Sequence, residues 1–229
     1  MADQLNIVHG EAPSTNFFRD VIYQQAPIAD ALAAKAPWDI RREQPELARV
    51  SHLFAGAVLD VGCGLGDNAR WIATLPGVSS VVAMDFAPLA IAEARARGTG
   101  AGPATITFAE GDVFDPTSFG ASADSFDLLL DSAVFHCIGD DAAQARYLAS
   151  VTPLVKKGGR AVMLVFSDAN EEATWRGPRR ISADHARALW TAGGWHVDSI
   201  EASRYFDAMQ PPRCGGLGGH ALLMTATRV

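Results

Sequence analysis

An apolar segment, three alternating glycines and a helix-like segment follow one another in AVLDVGCGLGDNARWIATL, residues 57–75. This order is typical of a strand that enters a helix through a tight turn, where glycine permits conformations and close approaches that a Cβ atom forbids. From residue 57 onward, strand-like and helix-like segments alternate, as they do in βαβ units. The sequence therefore predicts an α/β fold built on a doubly wound, seven-stranded, mostly parallel sheet.

The same alternation predicts the individual elements. Strands are expected at 57–61, 80–84, 104–108, 126–131 and 161–166, followed by a closing pair at 195–203 and 220–228 with the last strand antiparallel. Helices are expected at 67–75, 87–98 and 140–155, and from Ser182 to Gly193. Asp141 and Gln144 have the spacing of a capping box at the start of the third helix. KKGGR, residues 156–160, is expected to be a turn.

The first 56 residues do not follow this alternation. They contain an aromatic, helix-like segment and a second helical pattern that opens at Pro45, with Leu47, Val50 and Leu53 at helical spacing. We expect residues 1–56 to form an N-terminal helical cap over the mouth of the sheet, and residues 57–229 to form the ligand-binding domain.

Composition excludes several classes of protein. A chain of 229 residues, 48% hydrophobic, can bury the core of one domain, and its net charge of -7 argues against nucleic acid as a partner. Its three cysteines are far apart, so neither a metal site nor a disulfide framework is expected. Without a leader-like segment or a long apolar window, a cytoplasmic protein with no membrane partner is expected. A monomer and a homodimer both remain open.

The spacing of the glycines indicates which ligand lies against them. A dinucleotide-binding turn has a third glycine where this chain has Asp67, and a carboxylate there would repel a pyrophosphate at the helix N-terminus. No Lys-Ser or Lys-Thr follows, so a nucleoside triphosphate loop is excluded as well. Asp60, at the end of the strand, would instead attract a cation. A cationic nucleoside without phosphate fits best, and an NAD-dependent oxidoreductase is the main rival.

The motif Asp60-Val61-Gly62-Cys63-Gly64-Leu65-Gly66 resembles that of the class I S-adenosylmethionine-dependent methyltransferases, and the resemblance covers roughly residues 37–229. It implies a Rossmann-like fold, S-adenosyl-L-methionine as cofactor and S-adenosyl-L-homocysteine as product. It also implies that Asp85 holds the ribose, that Phe86 lies against adenine and that Asp112 meets the adenine amino group. The cofactor-binding residues expected in this way are Trp38, Asp60, Gly62, Cys63, Gly64, Gly66, Asp67, Asn68, Asp85, Phe86, Gly111, Asp112, Val113, Asp131 and Ser132.

Two further segments resemble small-molecule methyltransferases. APWDIRREQPEL is similar to a PWDIG-x-PQP segment of thiol and thiopurine methyltransferase relatives, although Arg41 and Arg42 stand where glycine and a small or acidic residue are usual. LDSAVFHCI is similar to the segment after their fourth strand. The nearest group is the bacterial heterocyclic toxin methyltransferases.

This resemblance implies methylation of a hydroxyl, nitrogen or thiol of a small planar aromatic or heterocyclic molecule, in detoxification or secondary metabolism. The residues expected to contact this acceptor are Phe135, His136, Phe166 and Trp175. His136 is expected to be the catalytic base, because an imidazole accepts a proton near neutral pH. Phenols and N-hydroxy heterocycles are acidic enough to need no base. A cofactor-binding protein without catalytic activity is the remaining alternative.

Overall fold

The structure is a computed structural model that describes residues 36, 38–175, 177–208 and 216–229. Seven strands form one sheet in the order β3-β2-β1-β4-β5-β7-β6. They are β1 Gly56–Val61, β2 Val78–Asp85, β3 Thr105–Glu110, β4 Phe126–Ser132, β5 Val155–Phe166, β6 Trp195–Tyr205 and β7 Gly219–Arg228. Strands β1 to β5 pair in parallel, and β7 is antiparallel to both of its neighbours. The predicted fold class, including the antiparallel last strand, is confirmed.

In the part of the chain that the structure describes, four α-helices lie between the strands: α1 Asp67–Ile72, α2 Pro88–Ala96, α3 Asp141–Val151 and α4 Ala183–Ala192. Short 3-10 helices cover Pro45–Leu53, Pro116–Phe119, Phe135–Cys137, Thr152–Leu154 and Glu172–Thr174. The predicted cap of α4 is confirmed, since the Ser182 hydroxyl accepts a hydrogen bond from the His185 N–H.

The helix predicted from residue 140 is confirmed at its start and has an acidic cap, but the capping box predicted for Asp141 and Gln144 is wrong. Asp140, not Asp141, is the N-cap residue, and its carboxylate accepts a hydrogen bond from the Ala143 N–H at 2.8 Å. Gln144 takes no part in a capping box. Its buried amide instead donates to the Phe135 carbonyl oxygen at 3.0 Å, which fixes the segment after β4 against α3.

Other predicted elements also differ. Helix α1 ends at Ile72, three residues before the predicted end. The KKGGR segment belongs to β5, where a shift of register against β4 and a positive φ of 75° at Gly158 absorb the irregular backbone. The segment that opens at Pro45 is a 3-10 helix interrupted at Val50, not an α-helix. The prediction of a cap over 1–56 stays a prediction, because residues 1–35 and 37 lie outside the described residues.

The sheet is buried on both faces, which explains why its central strands are continuous apolar runs. Successive side chains alternate between faces, so Val58 packs in one core with Ile72 and Ile91, while Leu59 packs in the other with Tyr147 and Trp190. Because the strand order reverses between β1 and β4, their carboxyl ends form the crevice in which such sheets bind ligands. Within the described residues, no helix is both long and apolar enough to cross a membrane.

Candidate functional site

Three carboxyl groups lie at the carboxyl ends of neighbouring strands. Asp60 of β1, Asp85 of β2 and Asp131 of β4 are 1%, 6% and 0% exposed. Burial, together with the nearby charges of Asp85 and Asp131, raises the pKa of Asp60 to about 8. Burial also raises the pKa of Asp85 to about 6 and that of Asp131 above its usual range. This edge of the sheet would therefore gain from a positive charge.

Asp131 shapes the segment that follows β4. Its carboxylate accepts hydrogen bonds from the Val134 N–H at 2.9 Å, from the Phe135 N–H and, at 2.6 Å, from the Tyr147 hydroxyl. The side chain is thus occupied by its own chain, and it holds the turn that carries residues 134–137. The expected contact of Asp131 with the cofactor stays a prediction.

Asp85 connects the end of β2 to the glycine turn. One carboxylate oxygen accepts from the Gly64 N–H and the other from the Ala87 N–H, both at 2.9 Å. The backbone N–H groups thus hold the carboxylate in a fixed orientation at the sheet edge. Its oxygens retain further lone pairs that a ribose hydroxyl could use.

The glycine turn forms a backbone surface with no room for side chains. Gly62, Gly64 and Gly66 all have positive φ, at 61°, 53° and 82°. A Cβ atom on Gly62 would lie 2.3 Å from a methyl carbon of Val134, and one on Gly66 would lie 2.6 Å from the Phe108 ring. Burial raises the pKa of the intervening Cys63 thiol, so this side chain stays protonated and packs as a small neutral group.

Asp60 has one carboxyl oxygen that the described part of the chain leaves without a partner. Its Oδ2 is buried and has no hydrogen-bond partner among the described residues, although an unpartnered buried carboxylate oxygen is costly. An ammonium group could donate a hydrogen bond to it, and any nearby positive charge, including a sulfonium, would favour the ionised form of Asp60, whereas pyrophosphate oxygens would disfavour that form. The site therefore fits a cationic nucleoside that carries no phosphate. The fit rests on Asp60, which precedes the glycine turn, and on Asp85, which accepts a hydrogen bond from it.

A cleft lies over this turn. It is lined by Trp38, Asp39, Arg42, Gln44, Gly62, Cys63, Gly64, Leu65, Asp67, Asn68, Ser132 and Tyr205. Seven of the predicted cofactor-binding residues lie in its wall: Trp38, Gly62, Cys63, Gly64, Asp67, Asn68 and Ser132. Sequence reasoning missed Asp39, Arg42, Gln44, Leu65 and Tyr205. The charged run after Trp38 was a signal for the first three, whereas Tyr205 has no local signal.

Residues 38–44, here termed the strap, cover one side of the cleft. Asp39 pairs with Arg97 of α2 at 2.9 Å, and Arg97 also reaches Asp67 at 3.3 Å. The Gln44 N–H donates to the Asn68 side-chain oxygen at 2.9 Å. Asp67 and Asn68 therefore hold the strap to the start of α1, in addition to facing the cleft.

The residues expected around adenine lie at the ends of β2 and β3, outside the cleft lining. Phe86 is half-buried, and the Gly111 N–H donates to the Asp85 carbonyl oxygen at 3.1 Å. Asp112 is exposed, and its carboxylate accepts from the Phe114 N–H at 2.9 Å, while Val113 is half-buried. The structure brings these four to the same sheet edge, and their contacts with adenine stay predictions.

Four rings pack together beside the cleft. His136 stacks on Phe166 with centroids 5.1 Å apart, and Phe166 contacts Trp175 at 4.9 Å and Tyr205 at 5.0 Å. Tyr205 and Ser132 also line the cleft, so this aromatic group meets the glycine turn there. Burial raises the pKa of Tyr205, which keeps its hydroxyl protonated and able to donate a hydrogen bond.

Phe135 lies away from this group. It has no exposed surface and packs on the opposite face of the sheet, with centroids 6.1 Å from both Tyr147 and Trp190. The expectation that Phe135 contacts the acceptor is therefore at odds with its position in the core. Its neighbour His136 points to the other face because the two residues lie in one 3-10 turn.

A backbone hydrogen bond assigns the tautomer of His136. The Phe166 N–H donates to His136 Nδ1 at 2.9 Å, so Nδ1 is unprotonated and the neutral ring carries its proton on Nε2. This ring is a donor at Nε2, and it takes up a proton at Nδ1 only if the bond to Phe166 breaks. The role of His136 as a base stays a prediction, and at Nδ1 it requires that the hydrogen bond from the Phe166 N–H is broken.

The chain is similar to known methyltransferases. A family profile described as a methyltransferase domain matches residues 58–159. The chain is 30% identical over 179 residues to a 2-heptyl-1-hydroxyquinolin-4(1H)-one methyltransferase of Mycobacteroides abscessus, covering 77% of this chain and 76% of the relative. One solved structure is 30% identical to this chain and has a TM-score of 0.67, and the alignment covers 84% of each chain. It is described as "Conversion of a Disulfide Bond into a Thioacetal Group during Echinomycin Biosynthesis".

A more distant solved structure shares the fold. The Burkholderia thailandensis 1,6-didemethyltoxoflavin-N1-methyltransferase, described with bound S-adenosylhomocysteine, is 22% identical and has a TM-score of 0.59. The alignment covers 83% of this chain and 81% of that one.

Proposed function

Because this chain belongs to the S-adenosylmethionine-dependent methyltransferases, we propose that it methylates a hydroxyl, nitrogen or thiol of a small planar aromatic or heterocyclic molecule. The observation that carries the proposal is the aromatic group of His136, Phe166, Trp175 and Tyr205, which meets the cofactor cleft at Tyr205. Aromatic faces attract planar rings through offset stacking and burial of apolar surface. The name of the Mycobacteroides abscessus relative, which refers to a planar N-hydroxy heterocycle, supports the same class of acceptor.

S-adenosylmethionine is the cofactor, and it supplies an electrophilic methyl group on a sulfonium. Its methionine portion fits the glycine turn and the unpartnered oxygen of Asp60. Asp85 is proposed to hold the ribose hydroxyls, in the orientation that the Gly64 and Ala87 N–H groups give it. Trp38 and Tyr205 both line this cleft, and we propose that their rings exclude water from it.

Little proton transfer is required of the protein in this proposal. Displacement at a methyl carbon needs a nucleophile held about 3 Å away and in line, and positioning alone supplies much of the acceleration. Phenols, N-hydroxy heterocycles and aryl thiols ionise readily enough to react without a side-chain base. The Cys63 and Cys137 thiols, whose pKa values burial raises, have no covalent part in such a reaction.

A panel of acceptors tests the proposal. The enzyme and S-adenosylmethionine are incubated with hydroxyquinolinones, phenols and aryl thiols, and with aliphatic alcohols and thiols that present the same nucleophile without a ring. We expect mass spectrometry to show products one methyl group heavier from planar acceptors only. Calorimetric titration with S-adenosylhomocysteine and with NADH runs in parallel.

Each alternative gives a different result. Transfer to aliphatic acceptors at a similar rate would contradict the role of the aromatic group. Tight binding of S-adenosylhomocysteine without transfer to any planar acceptor would favour a cofactor-binding protein without catalysis.

A further inference from the structure

We propose that Arg42 binds the carboxylate of the cofactor's methionine portion. This inference rests on the cofactor of the proposed function and is independent of which acceptor is methylated. At Arg42 this chain departs from the PWDIG-x-PQP segment that it resembles, because Arg41-Arg42 stands where glycine and a small or acidic residue are usual.

The charges along the cleft wall favour this role. A methionine portion carries one ammonium and one carboxylate, and Asp60 fits the first. The cleft lining itself contains two carboxylates, Asp39 and Asp67, neither of which can bind a carboxylate. Among the described residues that line the cleft, Arg42 alone is positively charged. A guanidinium can bind both oxygens of a carboxylate at once, which gives orientation as well as affinity.

The competing carboxylates are already neutralised by other arginines. Asp39 is paired with Arg97 at 2.9 Å, and Asp67 is paired with Arg70 at 2.7 Å and with Arg97 at 3.3 Å. Arg42 makes neither of these pairs. Its guanidinium lies 3.1 Å from Glu43, in a pair in which the Arg42 side chain is 59% exposed. Such an exposed pair is weak, so Arg42 can turn to a ligand at little cost.

The backbone before Arg42 is held in an uncommon conformation. Arg41 has a φ of 57°, in the left-handed region that non-glycine residues seldom adopt. The Asp39 carboxylate accepts a hydrogen bond from the Arg41 N–H at 3.0 Å, and its pairing with Arg97 anchors the same carboxylate to α2. Strained backbone of this kind persists only where the surroundings enforce it. Here it directs the chain so that Arg42 reaches the cleft and Arg41 does not.

Binding measurements with two ligands test the proposal without any turnover. Calorimetry compares S-adenosylhomocysteine with S-adenosyl-3-thiopropylamine, which keeps the ammonium and lacks the carboxylate. For R42Q we expect about 10-fold weaker binding of S-adenosylhomocysteine, because a charge-assisted hydrogen bond is lost, and unchanged binding of the amine. R41Q removes the same charge from the neighbouring position and should bind both ligands as the wild type does.

The outcomes separate this inference from the proposed function. Equal weakening of both ligands by R42Q, or equal effects of R42Q and R41Q, would assign Arg42 a general electrostatic role and overturn the proposal. Unchanged binding of S-adenosylhomocysteine by R42Q would overturn it as well, while leaving the methyltransferase assignment intact. Failure of the wild-type protein to bind S-adenosylhomocysteine would reject both. Thermal unfolding of each variant confirms that the proteins compared are folded.

Discussion

The Phe166 N–H and the His136 ring show how one backbone bond limits the chemistry of a side chain. Histidine beside an acceptor suggests a base, because its usual pKa lies near neutral pH. In this site Nδ1 already accepts from the backbone of β5 at 2.9 Å, and protonation there would forfeit that bond. The ring also stacks on Phe166 at 5.1 Å. The contacts therefore favour a positioning role.

Two substitutions of His136 separate positioning from base catalysis. In His136→Asn, the amide oxygen can replace Nδ1 as acceptor for the Phe166 N–H but cannot take up a proton. We expect this variant to keep kcat/KM within about 10-fold of wild type on both weakly and strongly acidic acceptors, and His136→Ala to lose more on both. Steady-state kinetics with two acceptors of different pKa provide the measurement.

Base catalysis predicts another pattern for the same variants. Both would then lose activity to a similar extent, by about 10²-fold or more on the weakly acidic acceptor and far less on the strongly acidic one. Observing that pattern would restore His136 as the proton acceptor.

At the scale of elements, Gln44 connects the strap to the start of α1 and to the end of β6. Its backbone N–H donates to Asn68 at the start of α1, its Nε2 donates to the Phe206 carbonyl oxygen at 2.8 Å, and its Oε1 accepts from the Phe206 N–H at 3.0 Å. The side chain is buried, and Phe206 directly follows Tyr205 at the end of β6. The strap therefore connects the cofactor cleft to the aromatic group.

Replacing Gln44 tests this connection. Gln44→Leu leaves the Phe206 N–H and carbonyl groups without their partner, so we expect the free energy of unfolding to fall by about 2 kcal/mol. We also expect weaker binding of S-adenosylhomocysteine, since the strap lines its cleft. Urea unfolding and calorimetry measure the two effects.

Glu43→Gln is the matched control for Gln44. It alters the adjacent residue, whose partner Arg42 is exposed, so a change of at most about 0.5 kcal/mol is expected. A Gln44→Leu protein as stable as this control would show that the strap is held by other contacts.

The strap also shows where sequence reasoning reached its limit. The strands and the glycine turn could be predicted because their signals are local, in apolar runs and in positions that require positive φ. The Gln44–Phe206 bonds span 162 residues and the Asp39–Arg97 pair spans 58, so no local pattern encodes either. The predicted capping box of α3 was wrong for a smaller reason: Asp140 and Asp141 are both acidic, and only the backbone geometry decides which one caps.

At the scale of the whole molecule, the buried carboxyl groups relate ligand binding to stability. The pKa of Asp60 is raised to about 8 in the folded protein, against about 4 for an aspartate in an unfolded chain. Between these values the folded state binds more protons than the unfolded state, so this group lowers stability as pH rises from about 4 to about 8. The Asp85 carboxyl, with a pKa of about 6, acts in the same direction over a narrower range.

Two other groups make the folded protein more stable as pH rises, which opposes the effect of Asp60 and Asp85. Hydrogen bonds and charges from Arg179 lower the pKa of Asp141, so its contribution to stability is complete above about pH 4. Burial lowers the pKa of His185, which makes the folded state more stable as pH rises through the usual range of histidine. A pH profile of the wild-type protein alone therefore mixes several groups.

Comparison of wild type with Asp60→Asn isolates the one carboxyl group. The variant keeps the size of the side chain and cannot ionise, so we expect it to gain stability relative to wild type by about 1 kcal/mol for each pH unit between 5 and 7. A cation beside Asp60 favours the carboxylate, so the affinity of the wild type for S-adenosylmethionine should rise up to about pH 8 with release of a proton. Asp60→Asn should bind more weakly and without this pH dependence. Urea unfolding measures the stability of both proteins, and calorimetry in buffers of different ionisation enthalpy measures the affinity and the release of the proton. Parallel pH profiles of stability for the two proteins would show that Asp60 is ionised in the absence of ligand, and would contradict the prediction.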